Sequence, residues 1–227
     1  MSHAAQYQPQ WIREDFVDFM AEKINPLWAW KKVKAKLVQI ALLSPNFYQL
    51  ELQPNANFNA QAFVAGHSVL VTVQIAGVYQ QRHYSIVKIT DNGNIVIAVK
   101  RQGVVSNALT RLALRSVIEV SQVQGDFNLE HTDTPLLLLA SGSGITAIYA
   151  LLQQALTENS RQIDLLYFSR DHAFHALLEQ LAQQHPQFDY HYFNTVSKPQ
   201  HLSLALLKHC VPDFQQRASY ACGAVGM

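Results

Sequence analysis

The chain has 227 residues, 49% of them hydrophobic, which is enough to bury the cores of about two domains. Seventeen Lys and Arg residues against sixteen Asp and Glu residues leave a net charge of +1, so the overall charge gives no reason to expect nucleic acid or an anionic membrane as a partner. The two cysteines, Cys210 and Cys222, are too few for a secreted disulfide scaffold and lack metal-ligand spacing, which favours the reducing cytoplasm.

Residues 1–33 predict a helical N-terminal extension. Apolar side chains recur every three to four positions, and Pro26 should end the helix. Two interpretations are open: an extension packed on the body of the protein, which we favour, or a docking helix for a partner. The apolar positions are Trp11, Ile12, Phe16, Val17, Phe19, Met20, Ile24 and Leu27.

Residues 34–131 predict a small antiparallel β-barrel. Short runs rich in Val, Ile and Leu alternate with turn residues such as Ser44-Pro45-Asn46 and Asp91-Asn92-Gly93-Asn94, a pattern typical of strands joined by tight turns. A short helix is expected at 106–114, before the last strand. The predicted strands are 34–43, 47–53, 69–75, 82–89, 94–100 and 117–123.

Residues 132–227 change to alternating strands and helices, which predicts an α/β domain with a parallel sheet. The apolar stretch 136–152 is not expected to span a membrane, because Ser141-Gly142-Ser143-Gly144 interrupts it; a buried strand, a glycine turn and a buried helix explain it better. The predicted strands are 135–140, 162–168, 188–194 and 218–222, and the predicted helices are 145–156, 173–184 and 202–209.

Two turns of this α/β region have the chemistry of a nucleotide site. Gly142 and Gly144 lie between the first strand and the first helix, where backbone amides and the helix dipole can hold a phosphate. Ser169 and Arg170 follow the next strand, and a guanidinium there suits a 2′-phosphate, which favours NADPH over NADH. Asp171, beside Arg170, argues for NADH, so both nucleotides remain open.

In the barrel region, Arg82-His83-Tyr84-Ser85 groups residues suited to a flavin nucleotide. Arginine offers a fork for a pyrophosphate, tyrosine a flat ring, and serine a hydroxyl that donates or accepts. Because side chains alternate along a strand, Arg82 and Tyr84 should point to the same side.

Together these motifs resemble the ferredoxin–NADP⁺ reductase superfamily of flavoprotein reductases, over about residues 34–227. Arg82, Tyr84 and Ser85 match that family's Arg-x-Tyr-Ser/Thr motif, with His83 inside it. The resemblance implies that Arg82 binds the pyrophosphate of FAD, that Tyr84 stacks on the isoalloxazine ring, and that Ser85 lies near flavin N5. Gly103, Val105 and Ser106 fall in a segment similar to the family's Gly-x-x-Ser-x-x-Leu, which would hold the FAD phosphates.

The resemblance extends to the α/β region. Residues 140–146 are similar to the family's Gly-Gly-x-Gly-Ile-Thr-Pro loop, so Gly142, Gly144 and Thr146 would contact the pyridine nucleotide. Cys222 and Gly223 resemble the start of its Cys-Gly-Pro-x-x-Met motif, which implies that Cys222 lies beside nicotinamide and flavin. Ser85 and Cys222 are therefore the candidate catalytic residues. The sequence departs from these motifs at Ser141, Ala147 and Ala224.

The function implied by the resemblance is an FAD-dependent oxidoreductase that passes hydride from NAD(P)H to FAD and then electrons to an iron–sulfur or flavin protein. The region around Asn25-Pro26-Leu27-Trp28 is similar to bacterial reductases that serve desaturases or oxygenases and in longer forms carry a C-terminal [2Fe–2S] domain. The family's sheet usually continues beyond the cysteine motif, so we expect a domain shortened at its C-terminus.

A cluster or metal site within this chain is not expected. The sequence has no Cys-x₄-Cys-x₂-Cys run, and His172 and His175 lack a third ligand. The alternative function is a non-enzymatic flavin-binding electron-relay or interaction subunit with a degenerate nicotinamide site, suggested by the departures in the two nucleotide motifs.

Overall fold

The computed structural model of the chain describes residues 13–158, 161–197 and 200–224. Helix α1 (Glu14–Ile24) is followed by the C-cap residue Asn25 and thus ends before Pro26, as the sequence predicts. The predicted apolar positions Trp11 and Ile12 lie outside the described residues. The described part of this extension is attached to the body of the protein by polar contacts, with Glu22 paired to Lys34 and Asn55 donating to the Leu27 carbonyl, while the apolar side chains along one face of α1 are exposed. The choice between the two interpretations of the extension stays a prediction.

Six antiparallel strands form a closed barrel in the order β1-β2-β5-β4-β3-β6. Side chains that alternate inward fill its core, with Leu37, Leu50, Val71 and Ile97 all buried. The strands are β1 (Val33–Ser44), β2 (Phe47–Pro54), β3 (Ser68–Ile75), β4 (Val78–Ile89), β5 (Ile95–Lys100) and β6 (Val117–Val120).

Strand β4 begins four residues before the predicted start at residue 82. The reason is a two-residue turn between β3 and β4, in which Ala76 (φ 49°) and Gly77 (φ 82°) both have left-handed backbone conformations. Such a turn matches the twist of a hairpin and extends its pairing to Ile75 and Val78. This turn lacks a strong sequence signal because alanine occupies its first position.

Two predicted elements of the barrel region, a helix and a strand, extended too far. Helix α2 spans Val104–Leu109, so the expected helix at residues 110–114 is wrong; the hydroxyl of Thr110 bonds back to the carbonyl of Ser106 (3.0 Å) where the helix ends. Strand β6 ends at Val120 because the Ser121 hydroxyl replaces a backbone acceptor and receives the Leu70 N–H (2.9 Å).

The second part of the chain forms a four-stranded sheet with the order β10-β7-β8-β9, in which all neighbours are parallel. Strands β7 and β8 are buried almost throughout, which explains their unbroken apolar sequences. The elements are β7 (Leu136–Ser141), α3 (Ile145–Glu158), β8 (Ile163–Ser169), α4 (His175–Gln184), β9 (Phe188–Asn194), α5 (Leu204–Cys210) and β10 (Ala218–Cys222).

Phe174 delays the start of α4 and helps to join the two parts. Its backbone is left-handed (φ 64°), so residues 173 and 174 are not helical as predicted. The buried Phe174 ring packs edge-on against Phe47 of the barrel, with 5.9 Å between ring centroids, and lies 5.0 Å from Tyr149 of α3. Burial of this large ring compensates for a conformation that costs a non-glycine residue about 1 kcal/mol or more.

One continuous core runs from the barrel into the α/β sheet. Phe47, Val87 and Ala98 of the barrel belong to the same buried cluster as Ile148 of α3 and Tyr167 of β8. The predicted fold class is confirmed: a β-barrel is followed by an α/β parallel-sheet domain. The exact domain limits at residues 33 and 131 stay a prediction.

Candidate functional site

A cleft with a volume of about 560 Å³ lies where the barrel meets the α/β sheet. The barrel contributes β4, the end of β5 and the start of α2, while the α/β part contributes the β7–α3 turn and the end of β10. This places the cleft at the carboxyl ends of parallel strands, where ligands bind in open α/β sheets.

All four residues of the β4 motif line the barrel side of this cleft. Arg82 is exposed and donates to the carbonyl of Gln81 (2.7 Å), whereas Tyr84 is half-buried against the barrel core. Burial raises the pKa of Tyr84 to about 12, against the opposing effect of the Arg82 charge, so its phenol stays neutral. His83 lies 3.4 Å from the side-chain nitrogen of Gln124.

The segment before α2 is held in place by Ser106. Its hydroxyl oxygen accepts from the backbone N–H groups of Gln102 (3.1 Å) and Gly103 (3.0 Å) and donates to the Gly103 carbonyl (3.0 Å). Ser106 therefore orders the turn that faces the cleft, in which Gly103 and Val105 also take part. The Cβ of any other residue at Gly103 would point into open space.

Gly144 allows two strand ends to meet on the α/β side. A Cβ at this position would lie 2.0 Å from the Cys222 carbonyl oxygen, which is an impossible contact. Gly223 is equally restricted, because its Cβ would lie 2.6 Å from the Cβ of Ser141. Both glycines are therefore needed because the backbone segments around Ser141, Gly144 and Cys222 lie too close together for a side chain. Thr146, predicted to contact the nucleotide, is buried and donates its hydroxyl to the Ser143 carbonyl (3.0 Å).

Cys222 ends β10 and lines the same cleft as Ser85. Burial raises the pKa of the Cys222 thiol above its ordinary value, so the sulfur is protonated at neutral pH. A neutral thiol is a small, polarizable group that can pack beside a flat ring, and it is a poor nucleophile.

A second cavity, of about 640 Å³, adjoins the first beyond the ends of β7 and β8. Gly142, Ser169, Arg170 and Gly223 line it, together with Thr195. The Arg170 side chain is exposed, whereas Ser169 is buried and accepts the Asp171 N–H (3.1 Å). Every predicted site residue thus lines one of the two cavities.

Sequence reasoning missed Lys100, which lines both cavities. This last residue of β5 forms an ion pair with Asp171 after β8, with 2.7 Å between nitrogen and oxygen. The signal was a lysine that ends an apolar strand, three residues before Gly103. Gln102, two residues further on, also lines both cavities and was missed.

Within residues 13–158, 161–197 and 200–224, no three His, Cys, Asp or Glu side chains are grouped to hold a metal ion. No helix in the same ranges is long and apolar enough to cross a membrane.

Comparison with protein families defines the class of protein. Residues 34–129 match the oxidoreductase FAD-binding domain, and residues 138–227 match the oxidoreductase NAD-binding domain. The chain therefore combines an FAD-binding and an NAD-binding domain. It belongs to the ferredoxin–NADP⁺ reductase family of flavoprotein reductases, as its motifs predict.

Individual relatives agree with this assignment. A flavohemoprotein of Chromobacterium violaceum is 36% identical over 155 residues, covering 62% of this chain and 38% of that protein. An NADPH oxidoreductase of Mycobacterium tuberculosis is 24% identical over 216 residues, covering 89% of this chain and 56% of that protein. The chain spans about a third to just over half of the length of such curated relatives.

Two solved structures share the fold. The cytochrome b5 reductase domain of Ulva prolifera nitrate reductase superposes with a TM-score of 0.71 at 19% identity, over 84% of this chain and 86% of that one. Ferredoxin–NADP⁺ reductase from Plasmodium falciparum with 2′P-AMP gives a TM-score of 0.66 at 20% identity, over 80% and 81% of the two chains.

The donor set of the first cleft fits FAD. Arg82 supplies an exposed cation for a pyrophosphate, Tyr84 a neutral aromatic ring fixed by burial, and Ser85 a hydroxyl beside it. The Gly103 turn, open to the cleft and without a Cβ, leaves room for close approach of a phosphate.

Proposed function

We propose that the chain is an NAD(P)H-dependent flavoprotein reductase that oxidises a reduced pyridine nucleotide and passes electrons to an acceptor protein. One observation carries the proposal: the flavin motif of β4 and the nucleotide motifs of β7–α3 and β10 line a single cleft. A reductase needs its two cofactors in contact, and a shared cleft would allow that contact.

The residues of the chain hold and orient the cofactors. Arg82 and the turn ordered by Ser106 would neutralise and bind the phosphates of FAD, and Tyr84 would support its ring. Bound FAD supplies the exchange between hydride and single electrons. Ser85 and the neutral thiol of Cys222 are the residues proposed at the reacting centre, where they would help to position the flavin and nicotinamide rings.

NADPH is the proposed electron donor, with NADH as a poorer one. Asp171 would accept hydrogen bonds from a ribose 2′-hydroxyl, but its carboxylate is already paired with Lys100. Arg170 stays exposed in the adjoining cavity and suits the extra phosphate of NADPH. The neutralisation of Asp171 supports the choice of NADPH.

The proposed acceptor is an iron–sulfur or flavin protein, such as a ferredoxin-like domain or protein of a desaturase or oxygenase system. Relatives support a protein acceptor of some kind, because their names include flavohemoproteins and a cytochrome P450 reductase. We propose the cytoplasm as the compartment, supported by Cys210 and Cys222, which are both free thiols.

A non-enzymatic electron-relay subunit is the second candidate. It is favoured by Ser141, which stands where the family has glycine and packs against Gly223 at the nucleotide turn. This subunit would bind FAD and accept electrons from another protein instead of from NAD(P)H.

Reduction of ferricyanide separates the two candidates. We expect the FAD-loaded protein to reduce ferricyanide with NADPH in many turnovers, and with NADH less efficiently. Bound FAD without turnover on either nucleotide would support the relay subunit, and failure to bind FAD would reject both.

A further inference from the structure

Strand β4 pairs with a neighbouring strand on one edge only where it forms the cleft. From Val78 to Ser85 it pairs with β3, whereas its pairing with β5 begins at Ile86. Within the described part of the chain, no strand therefore lies beside the other edge of this segment. The barrel thus offers a ligand a length of exposed strand that starts four residues before the flavin motif.

The side chains of this segment alternate between two faces. Val78 and Gln80 share one face with Arg82 and Tyr84, because positions two apart along a strand point to the same side. Among the β4 residues that line the cleft, Gln80 is the farthest from Ser85, and it lies about 7 Å along the strand from Arg82. The cleft therefore extends past the residue assigned to the pyrophosphate of FAD.

Gln80 and its neighbour Gln81 differ in what their amides contact. The Gln81 amide donates to the hydroxyl of Thr72 (3.0 Å), directly across the pairing with β3. The Gln80 amide makes no hydrogen bond to any residue that the structure describes. Its donor and acceptor atoms are thus available to a ligand, and a glutamine amide can bind adenine through one donated and one accepted hydrogen bond.

Val78 adds an apolar surface next to this amide. It is 57% exposed and lies directly opposite Ile75 in the β3–β4 pairing. Side chains of directly opposite residues share a face, with about 5 Å between their Cβ atoms, so the two form an apolar pair. Ile75 packs against the barrel core and holds this pair in place. A flat purine ring can lie on such a pair while it binds the amide of Gln80.

The charge of this region suits a ligand with several phosphate oxygens. Between Leu52 and Ile118 the only acidic residue is Asp91, which lies in the turn at the opposite end of β4 from Val78. The segment 52–118 contains both β4 and the turn at Gly103, which form the phosphate part of the cleft. No carboxylate on either element repels an anion bound between them.

We propose that Gln80 and Val78 bind the adenosine half of FAD and thereby make the protein select FAD over FMN, an assignment that rests on the proposed FAD-dependent function. FMN ends at the first phosphate, so Arg82 and the Gly103 turn serve both flavins. Only FAD carries an adenosine, which extends beyond Arg82 to the Gln80 amide and the Val78–Ile75 pair.

The pyridine nucleotide also carries adenosine, but it fits this surface less well. Its proposed site continues into the second cavity, where Arg170 lies. Lys100 and Gln102 line both cavities, whereas Gln80 lines only the first. The two adenosines would therefore leave the cleft in different directions, one along β4 and the other beyond the ends of β7 and β8.

Fluorescence titration of the apoprotein with FAD and with FMN tests the proposal. The wild type should bind FAD about tenfold or more tightly than FMN. The variant Gln80→Ala/Val78→Ser should bind FAD about tenfold more weakly and FMN as the wild type does, because only the adenosine loses its contacts. Gln81→Ala is the matched control: it removes the same amide from the opposite face and should leave both affinities unchanged. Arg82→Ala should weaken both flavins.

Competition by ADP gives a second measurement on the wild-type protein. ADP carries the adenosine and pyrophosphate of FAD without the flavin, so it should raise the apparent Kd for FAD, and less so in Gln80→Ala/Val78→Ser. Equal wild-type affinities for FAD and FMN, or a ratio that the double variant leaves unchanged, would overturn the proposal. Either result leaves the reductase assignment standing, because turnover of ferricyanide with bound flavin tests that assignment separately.

Discussion

Lys100 and Asp171 form an ion pair of 2.7 Å that links the last residue of the barrel strand β5 to the turn after β8. Both side chains are mostly buried, and Lys100 lines both the flavin-side cleft and the adjoining cavity. The pair connects the two domains at the place where both cofactors would meet. It also occupies the carboxylate that would otherwise favour NADH.

The Lys100–Asp171 pair should contribute to the stability of the domain arrangement. We expect Lys100→Met and Asp171→Asn each to lower the free energy of unfolding by about 1–2 kcal/mol, since each leaves a partly buried group without its partner. Urea denaturation of both single variants and the double variant measures the coupling, expected at about 1 kcal/mol. Strictly additive effects would show that the pair is not an energetic link.

Gly144→Ala should disrupt the α/β side of the cleft. The new Cβ would lie 2.0 Å from the Cys222 carbonyl oxygen, so β10 and the start of α3 must separate. We expect a loss of roughly 3 kcal/mol or more of stability, measured by urea denaturation. Gly103→Ala is the matched control, because its Cβ meets no atom within 4 Å; a similar loss there would contradict the steric explanation.

Arg82→Ala should weaken FAD retention more than Tyr84→Phe. Arg82 would supply charge and hydrogen bonds to a pyrophosphate, whereas phenylalanine keeps the aromatic ring of Tyr84. We expect Kd for FAD to rise about tenfold to a hundredfold in the arginine variant and only slightly in the other. Fluorescence titration of the apoprotein with FAD measures both, and equal affinities would remove Arg82 from the phosphate site.

Arg170→Ala should reduce the preference for NADPH. Without the guanidinium, the 2′-phosphate loses its cation while NADH binding is unaffected. The ratio of kcat/KM for NADPH to that for NADH should fall about tenfold or more. An unchanged ratio would place the 2′-phosphate elsewhere, for example near His201 in the same cavity.

Cys222 should react slowly with iodoacetamide at neutral pH. Burial raises the pKa of its thiol, so the thiolate forms only as pH rises past the ordinary thiol range. By linkage, this group adds stability below its unfolded pKa, and the contribution is lost as pH rises towards the folded pKa. Alkylation rates at several pH values in a Cys210→Ser background measure the shift. Reaction as fast as in the urea-unfolded protein would contradict it.

The barrel strands and the alternating α/β order were predictable because periodicity and turn residues report local backbone choices. That the flavin motif and the nucleotide motifs would meet in one cleft was predictable only because several motifs follow one another in the same order as in a known family. The sequence did not predict the Lys100–Asp171 pair, since it joins residues 71 positions apart, nor the outward face of α1. Amphipathic spacing defines an apolar face, but polar anchors such as Asp18 to Trp30 determine which way it points.

Anaerobic stopped-flow mixing with NADPH tests the proposed reductase most directly. Protein loaded with FAD should lose its oxidised-flavin absorbance within seconds of mixing, at a rate that saturates with NADPH concentration. Cys222→Ala should retain FAD but lose absorbance about tenfold or more slowly. Oxidised flavin that persists unchanged with both NADPH and NADH would contradict the assignment of the cleft as a hydride-transfer site.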